Sequence, residues 1–169
     1  MSGTSPTGPI AVRETTERIM YLIHRTRVAT AEAVNAELAD LGLNGTLSLI
    51  LETIFELGET NAAELARRCL VTRQALTGPL NDLQSRGLVQ RPEPSTRVRV
   101  RPITLTAEGR EAAGIARLRV GEAERRSIAS FEQGELDQLR RLLTRHAAAW
   151  EELARDGAAP RGRAPRSAW

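Results

Sequence analysis

The stretch from Asn61 to Leu105 constrains this chain most, because it sets two short helices, a tight turn and a strand pair in immediate succession. Asn61 followed by Glu64 has capping-box spacing and opens a short helix whose apolar side comprises Ala63, Leu65, Ala66 and Leu70. A turn spans Cys69 to Thr72. Thr72 is the N-cap of a second helix, which buries Leu76, Leu80 and Leu83 at i, i+4 and i+7 and stops at Gly87 as its C-cap. Leu88, Val89 and Arg91, and then Val98, Val100, Ile103 and Leu105, read as two short strands around a turn at Pro92-Glu93-Pro94-Ser95. That order of elements is a winged helix-turn-helix, with the strand pair as its wing.

Opposite its leucines, the second helix carries side chains suited to base recognition. Arg73, Gln74, Thr77 and Asn81 share the outward face, with Thr72 at its head. Arginine forks onto guanine, and glutamine or asparagine onto adenine. In the second wing strand Arg97, Arg99 and Arg101 alternate with Val98 and Val100, so a period of two puts the three cations on one side, where they fit phosphates or a minor groove. Charge separates the segment from what precedes it. Residues 61–105 hold eight arginines and three acids, a net +5, whereas residues 1–60 hold four arginines and eight acids, a net −4. The reading is therefore a DNA-binding protein.

Other function classes find no residues to stand on. No nucleophile–base pair, glycine-rich phosphate loop or close carboxylate pair stands out, so the chain reads as a non-enzyme without a cofactor. One cysteine and two histidines leave no metal site; Cys69 beside the turn is either a small apolar filler or a redox switch. All 24 basic residues are arginine, which fits GC-rich coding and implies no mechanism. No apolar run approaches membrane-spanning length and no signal-like start is present, so a soluble cytoplasmic protein is expected.

Long amphipathic helices flank the module. Ile19, Leu22, Ile23, Ala33, Val34, Leu38 and Leu41 recur at helical spacing from about Arg13 until Gly42. A second helix carries Leu47, Ile50, Leu51, Ile54 and Leu57 up to Gly58. After the wing, Thr106 caps a helix through Ala112, Ala116, Val120 and Ala123 to about Ser130, and a last helix carries Leu136, Leu139, Leu142, Leu143, Trp150 and Leu153. The fold class is mainly α with a small β-wing: a winged helix-turn-helix flanked by long dimerisation helices. The organisation is a disordered tail at 1–12, scaffold and dimerisation helices at 13–57, the DNA module at 58–105, dimerisation helices at 106–154 and a disordered basic tail at 155–169. Stripes so far from the module find cover in a second copy, or by folding back as a monomeric bundle. A two-fold dimer sets its recognition helices roughly 34–36 Å apart, so the DNA partner is an inverted-repeat operator.

Two passages carry a family likeness. Leu83-Gln84-Ser85-Arg86-Gly87-Leu88-Val89, leading to Gln90-Arg91, and Ile103-Thr104-Leu105-Thr106-Ala107-Glu108-Gly109 make residues 15–153 resemble the multiple antibiotic resistance regulator (MarR) family. The resemblance implies a homodimeric transcription factor, most often a repressor, released from its operator by a small phenolic or carboxylate ligand. Two features depart from the pattern. The family's wing aspartate is replaced at Arg97-Val98, although Arg99 matches a family wing arginine. Pro79 falls inside the recognition helix, where a kink or split is expected. Similar regulators hold their ligand between the first helix and the DNA module. There Tyr21, His24 and Arg25, at i, i+3 and i+4, form a face that either clamps a phenol or carboxylate or lines the dimer interface. The rival reading is a winged-helix protein-interaction module without sequence-specific DNA binding.

Overall fold

The computed structural model describes residues 14–91 and 102–158. A 3-10 turn at Thr15–Glu17 precedes α1 (Ile19–Leu38), which ends in a second 3-10 turn, Ala39–Leu41. There follow α2 (Gly45–Leu57), β1 (Glu59–Thr60), α3 (Ala62–Arg68), α4 (Arg73–Ser85), β2 (Val89–Gln90), β3 (Ile103–Leu105), α5 (Ala107–Ser127) and α6 (Gln133–Ala158). The chain divides into two compact units after Glu124. No single helix among the described residues is long and apolar enough to cross a membrane.

The helix ends follow from local chemistry. Asn44 accepts from the Leu47 amide, Asn61 from the amides of Ala63 and Glu64, and Thr72 from that of Ala75. Each cap satisfies amides that the first turn leaves unpaired. The reciprocal half of the expected capping box is replaced: the Glu64 carboxylate takes Arg67 and Arg68 instead. Gly42 and Gly87 lie in the left-handed region beyond their helices, at φ 63° and 69°. Gly87 follows Arg86, which is the true C-cap of α4, and the Leu88 amide bonds back to Leu83.

In the first unit the core is one cluster. Leu47, Ile50, Leu51 and Ile54 of α2 meet Leu65 of α3, and Leu76, Leu80 and Leu83 of α4, the three leucines expected to face inward. Val89, Ile103 and Leu105 close it from the sheet, and Ala113 and Ala116 from α5. The sheet has three strands in the order β1-β3-β2, both pairings antiparallel, with Val89 opposite Leu105 and Glu59 opposite Thr104. β1 was not expected. It gives the base of the wing a second neighbour and fastens it to the end of α2.

Three expectations need correction. Leu70 does not belong to the apolar side of α3: it lies past the helix end, is 88% exposed and has a left-handed φ of 55°. α4 is not split at Pro79 but runs unbroken from Arg73 to Ser85, its three buried leucines holding both sides of the proline in one helix. The wing ribbon is also shorter at its base than expected, since β2 ends at Gln90 with Arg91 outside it. The turn at Pro92–Ser95, the strand positions Val98 and Val100, and nearly all of both tails lie outside the described residues.

The joint between wing and α5 is tight. Thr106 caps α5 as expected, its Oγ1 accepting from the Gly109 amide at 2.9 Å while donating to the Gly87 carbonyl at 2.7 Å. A Cβ on Gly109 would lie 1.8 Å from the Leu88 carbonyl oxygen, so only glycine admits this approach.

Candidate nucleic-acid interface

α3, the turn after it and α4 form a helix-turn-helix pair. Two left-handed or capped turns fix it: Leu70 at the end of α3 and Thr72 at the start of α4. Because Leu76, Leu80 and Leu83 are buried, the opposite side of α4 is turned outward. Arg73, Gln74 and Thr77 are exposed there, and the Thr77 hydroxyl donates to the Arg73 carbonyl at 3.2 Å. Thr72 is exposed too, with its Oγ1 committed to capping.

Asn81 is exposed but already engaged. Arg91, one residue beyond β2, donates from Nη2 to the Asn81 Oδ1 at 2.7 Å and from Nε to the Gln84 Oε1 at 2.7 Å. This cluster ties the wing base to the C-terminal half of α4. The sequence pattern points to Asn81 as a base reader and gives no such role to Gln84 or Arg91. The spacing of Asn81 and Gln84 at i and i+3 was a usable signal, but the arginine's reach back onto them was not. The helix thus presents two halves: Arg73, Gln74 and Thr77 turned outward near its head, and Asn81 and Gln84 bridged by a cation nearer its end. Arg97, Arg99 and Arg101 lie outside the described residues.

On α3, Arg67 and Arg68 converge on Glu64, whose carboxyl is held down to about 2, first by the hydrogen bond from Arg67 and then by that from Arg68. Below the turn, Cys69 is buried, and its thiol lies 3.7 Å from the Thr53 hydroxyl. Burial pushes that thiol up, which disfavours the thiolate a redox switch requires.

Tyr21, His24 and Arg25 are placed together on one exposed face of α1. None of them lines the cavity of about 100 Å³ between α2 and α4, whose walls include Leu49, Ile50, Cys69, Val71 and Pro79. Among the described residues no group of three or more His, Cys, Asp or Glu side chains is placed to hold a metal ion.

Comparison with known proteins supports this geometry. The MarR family model matches residues 41–97, from the end of α1 into the wing. The chain is 33% identical over 123 residues to the HTH-type transcriptional repressor Rv2887 of Mycobacterium tuberculosis H37Rv, covering 73% of this chain and 88% of that protein. The crystal structure of Rv2887 in complex with salicylic acid superposes with a TM-score of 0.60 at 32% identity, covering 76% of this chain and 95% of that one. CouR from Rhodococcus jostii RHA1, bound to p-coumaroyl-CoA, superposes at 0.67 with 26% identity, over 76% of this chain and 90% of that one. With the helix pair, three-stranded wing and flanking long helices in the same order, the chain belongs to the MarR family of winged helix-turn-helix transcriptional regulators.

Proposed function

We propose that this chain is a homodimeric repressor that binds an inverted-repeat operator and is released by a small aromatic carboxylate or phenol. The observation that carries the DNA reading is the outward face of α4, where Arg73, Gln74 and Thr77 stand exposed above a helix whose other side is locked into the core. Those three enter the major groove, with Thr72 at the helix head and Asn81 contributing through its bridge to Arg91. Arg97, Arg99 and Arg101 brace the flanking sugar-phosphate. Residues 58–105 are then the DNA module, and 13–57 and 106–154 the scaffold that pairs two of them.

Exposed apolar residues support the pairing. Ile19, Met20 and Leu22 on α1, and Leu142, Leu143 and Leu153 on α6, are each at least 40% exposed in the single chain. An effector is supported by relatives crystallised with salicylic acid and p-coumaroyl-CoA. Tyr21, His24 and Arg25 are the residues proposed to meet it, the guanidinium forking onto the carboxylate. Operator release then follows from tighter ligand binding to the DNA-incompetent dimer.

Gel-shift titration with the DNA upstream of the chain's own gene, repeated across salt concentrations, tests the DNA reading. Expected is one saturable complex that random competitor does not displace, with a log-log salt slope of roughly 0.9 per phosphate neutralised. Equal competition by any duplex would reject the reading. For the effector, Arg25→Ala should leave operator affinity intact and abolish release by salicylate. Unchanged release removes the α1 face from the ligand site.

A further inference from the structure

α1 ends in a turn that two arginines from two other helices hold. Arg119 of α5 donates from Nη1 to the Glu37 carbonyl at 3.0 Å and to the Asp40 carboxylate, and from Nη2 to the other Asp40 oxygen at 2.9 Å. Arg86, the C-cap of α4, donates from Nη1 to the Gly42 carbonyl at 2.8 Å and from Nη2 to the Leu41 carbonyl at 3.0 Å. The Arg86 and Arg119 side chains are about one-third exposed, and of these bonds the one from Arg119 to the Glu37 carbonyl is partly buried. Gly42 shapes the second grip. Its φ of 63° turns the carbonyl chain, and a Cβ there would come within 3.2 Å of the Arg86 Nη2.

The consequence is mechanical. The recognition helix ends at the very residue that forks onto the α1 turn, and Arg119 of α5 bonds the same turn. Swinging α4 against the α1 turn therefore requires breaking both Arg86 bonds to main-chain carbonyls, and moving α5 against the same turn requires breaking the Arg119 bonds to the Glu37 carbonyl and the Asp40 carboxylate. We infer that Arg86 and Arg119 are positioning residues that fix the angle of the recognition helix relative to the long helices, and so set the distance between the two half-sites a dimer can engage. This inference rests on the DNA-binding dimer proposed above.

The test uses the full chain and inverted-repeat duplexes selected by the wild-type protein from a randomised pool, each also prepared with one base pair inserted between its half-sites. Wild type is expected to lose at least about tenfold in affinity on insertion, because each extra pair both lengthens and rotates the site. Arg86→Met and Arg119→Met are expected to cut that penalty to about threefold or less, with the log-log salt slope unchanged, since neither guanidinium neutralises a phosphate. Arg86→Lys keeps the charge but not the fork, and is expected not to restore spacing discrimination. The double variant should be no less selective than the worse single one, because both act through one turn.

Two further results would be decisive. A wild-type spacing penalty in the singly substituted proteins overturns the inference and leaves DNA binding standing, and so does a salt slope lowered by about one. Failure of wild type to select any duplex removes the DNA reading and this inference with it. Should either methionine variant unfold, Asp40→Ala, at a largely exposed side chain, removes the carboxylate half of the α5 grip, leaving the Arg119 bond to the Glu37 carbonyl, and is expected to lower the same spacing ratio part of the way.

Discussion

Leu70 holds a left-handed backbone with its side chain almost wholly in water, two features a leucine adopts only at a cost of about 1–2 kcal/mol in the backbone alone. The amides of Leu70 and Val71 bond back to Arg67 and Ala66, so the conformation is what closes α3 and launches α4. Leu70→Gly should therefore stabilise the fold by about 0.5–1 kcal/mol, the strain relieved exceeding the chain entropy added to the unfolded state. A thermal melt checks it, and a lowered midpoint would show that the exposed side chain makes a contact that matters. Glu64 offers a second residue-scale outcome. Its folded carboxyl titrates near 2 against an ordinary 4.5, a depressed value, so its pairing with Arg67 and Arg68 supports folding above about pH 4.5. That support is lost as pH falls toward 2, and because the group is exposed the effect is small and weakens with salt. Carboxyl carbon shifts followed by NMR should place Glu64 well below the other glutamates, and Arg67→Ala together with Arg68→Ala should return it to the ordinary range.

At the scale of elements, the joint between wing and α5 depends on one missing atom. Gly109→Ala drives a methyl into the Leu88 carbonyl, which is backbone and cannot swing aside, so α5 must lift from β2 and the Thr106 bridge must stretch. A loss of about 1–3 kcal/mol is expected, as for other overpacked sites, and denaturant unfolding measures it. A change within error would mean that α5 docks elsewhere in solution. How much of this was legible in the sequence varies with the range of the interaction. Asn61, Thr72 and Thr106 declare their helices because capping is decided by the residue and its next three neighbours. Gly42 and Gly87 mark ends for the same local reason. Leu70 misled because an apolar residue one turn past Ala66 continues a helical stripe, and periodicity does not register where the helix has stopped. Pro79 suggested a break, yet leucines buried on either side keep α4 continuous, tertiary packing overriding a local preference. β1 is two residues long and has no period to detect. The Arg91 bridge to Asn81 and Gln84 joins the residue after β2 to α4, and no spacing rule specifies it.

For the molecule as a whole, the distribution of apolar surface carries the argument. The first unit's core is drawn from α2 to α5 and the end of α1, and among the described residues the first turns of α1 hold no fully buried side chain. On α6, Leu139, Leu142, Leu143, Trp150 and Leu153 recur at helical spacing and are each 40–59% exposed, a stripe that runs much of the helix. Within it the Trp150 indole donates to His146 Nε2 at 3.0 Å, so even the polar edge of the tryptophan is satisfied along the helix and its ring remains apolar contact surface. An exposed stripe of this kind gains stability by burial against another surface, and in the dimer proposed above a second copy would provide the same stripe by symmetry. Leu143→Glu puts a carboxylate into the stripe without removing any packed core residue. The wild-type chain is then expected to sediment as a dimer and the variant as a monomer of nearly unchanged helicity. Operator affinity should fall at least about a hundredfold, since one half-site carries only part of the phosphate and base contacts. Sedimentation of the wild type as a monomer at micromolar concentration would remove the two-fold arrangement, and with it the expectation of an inverted repeat.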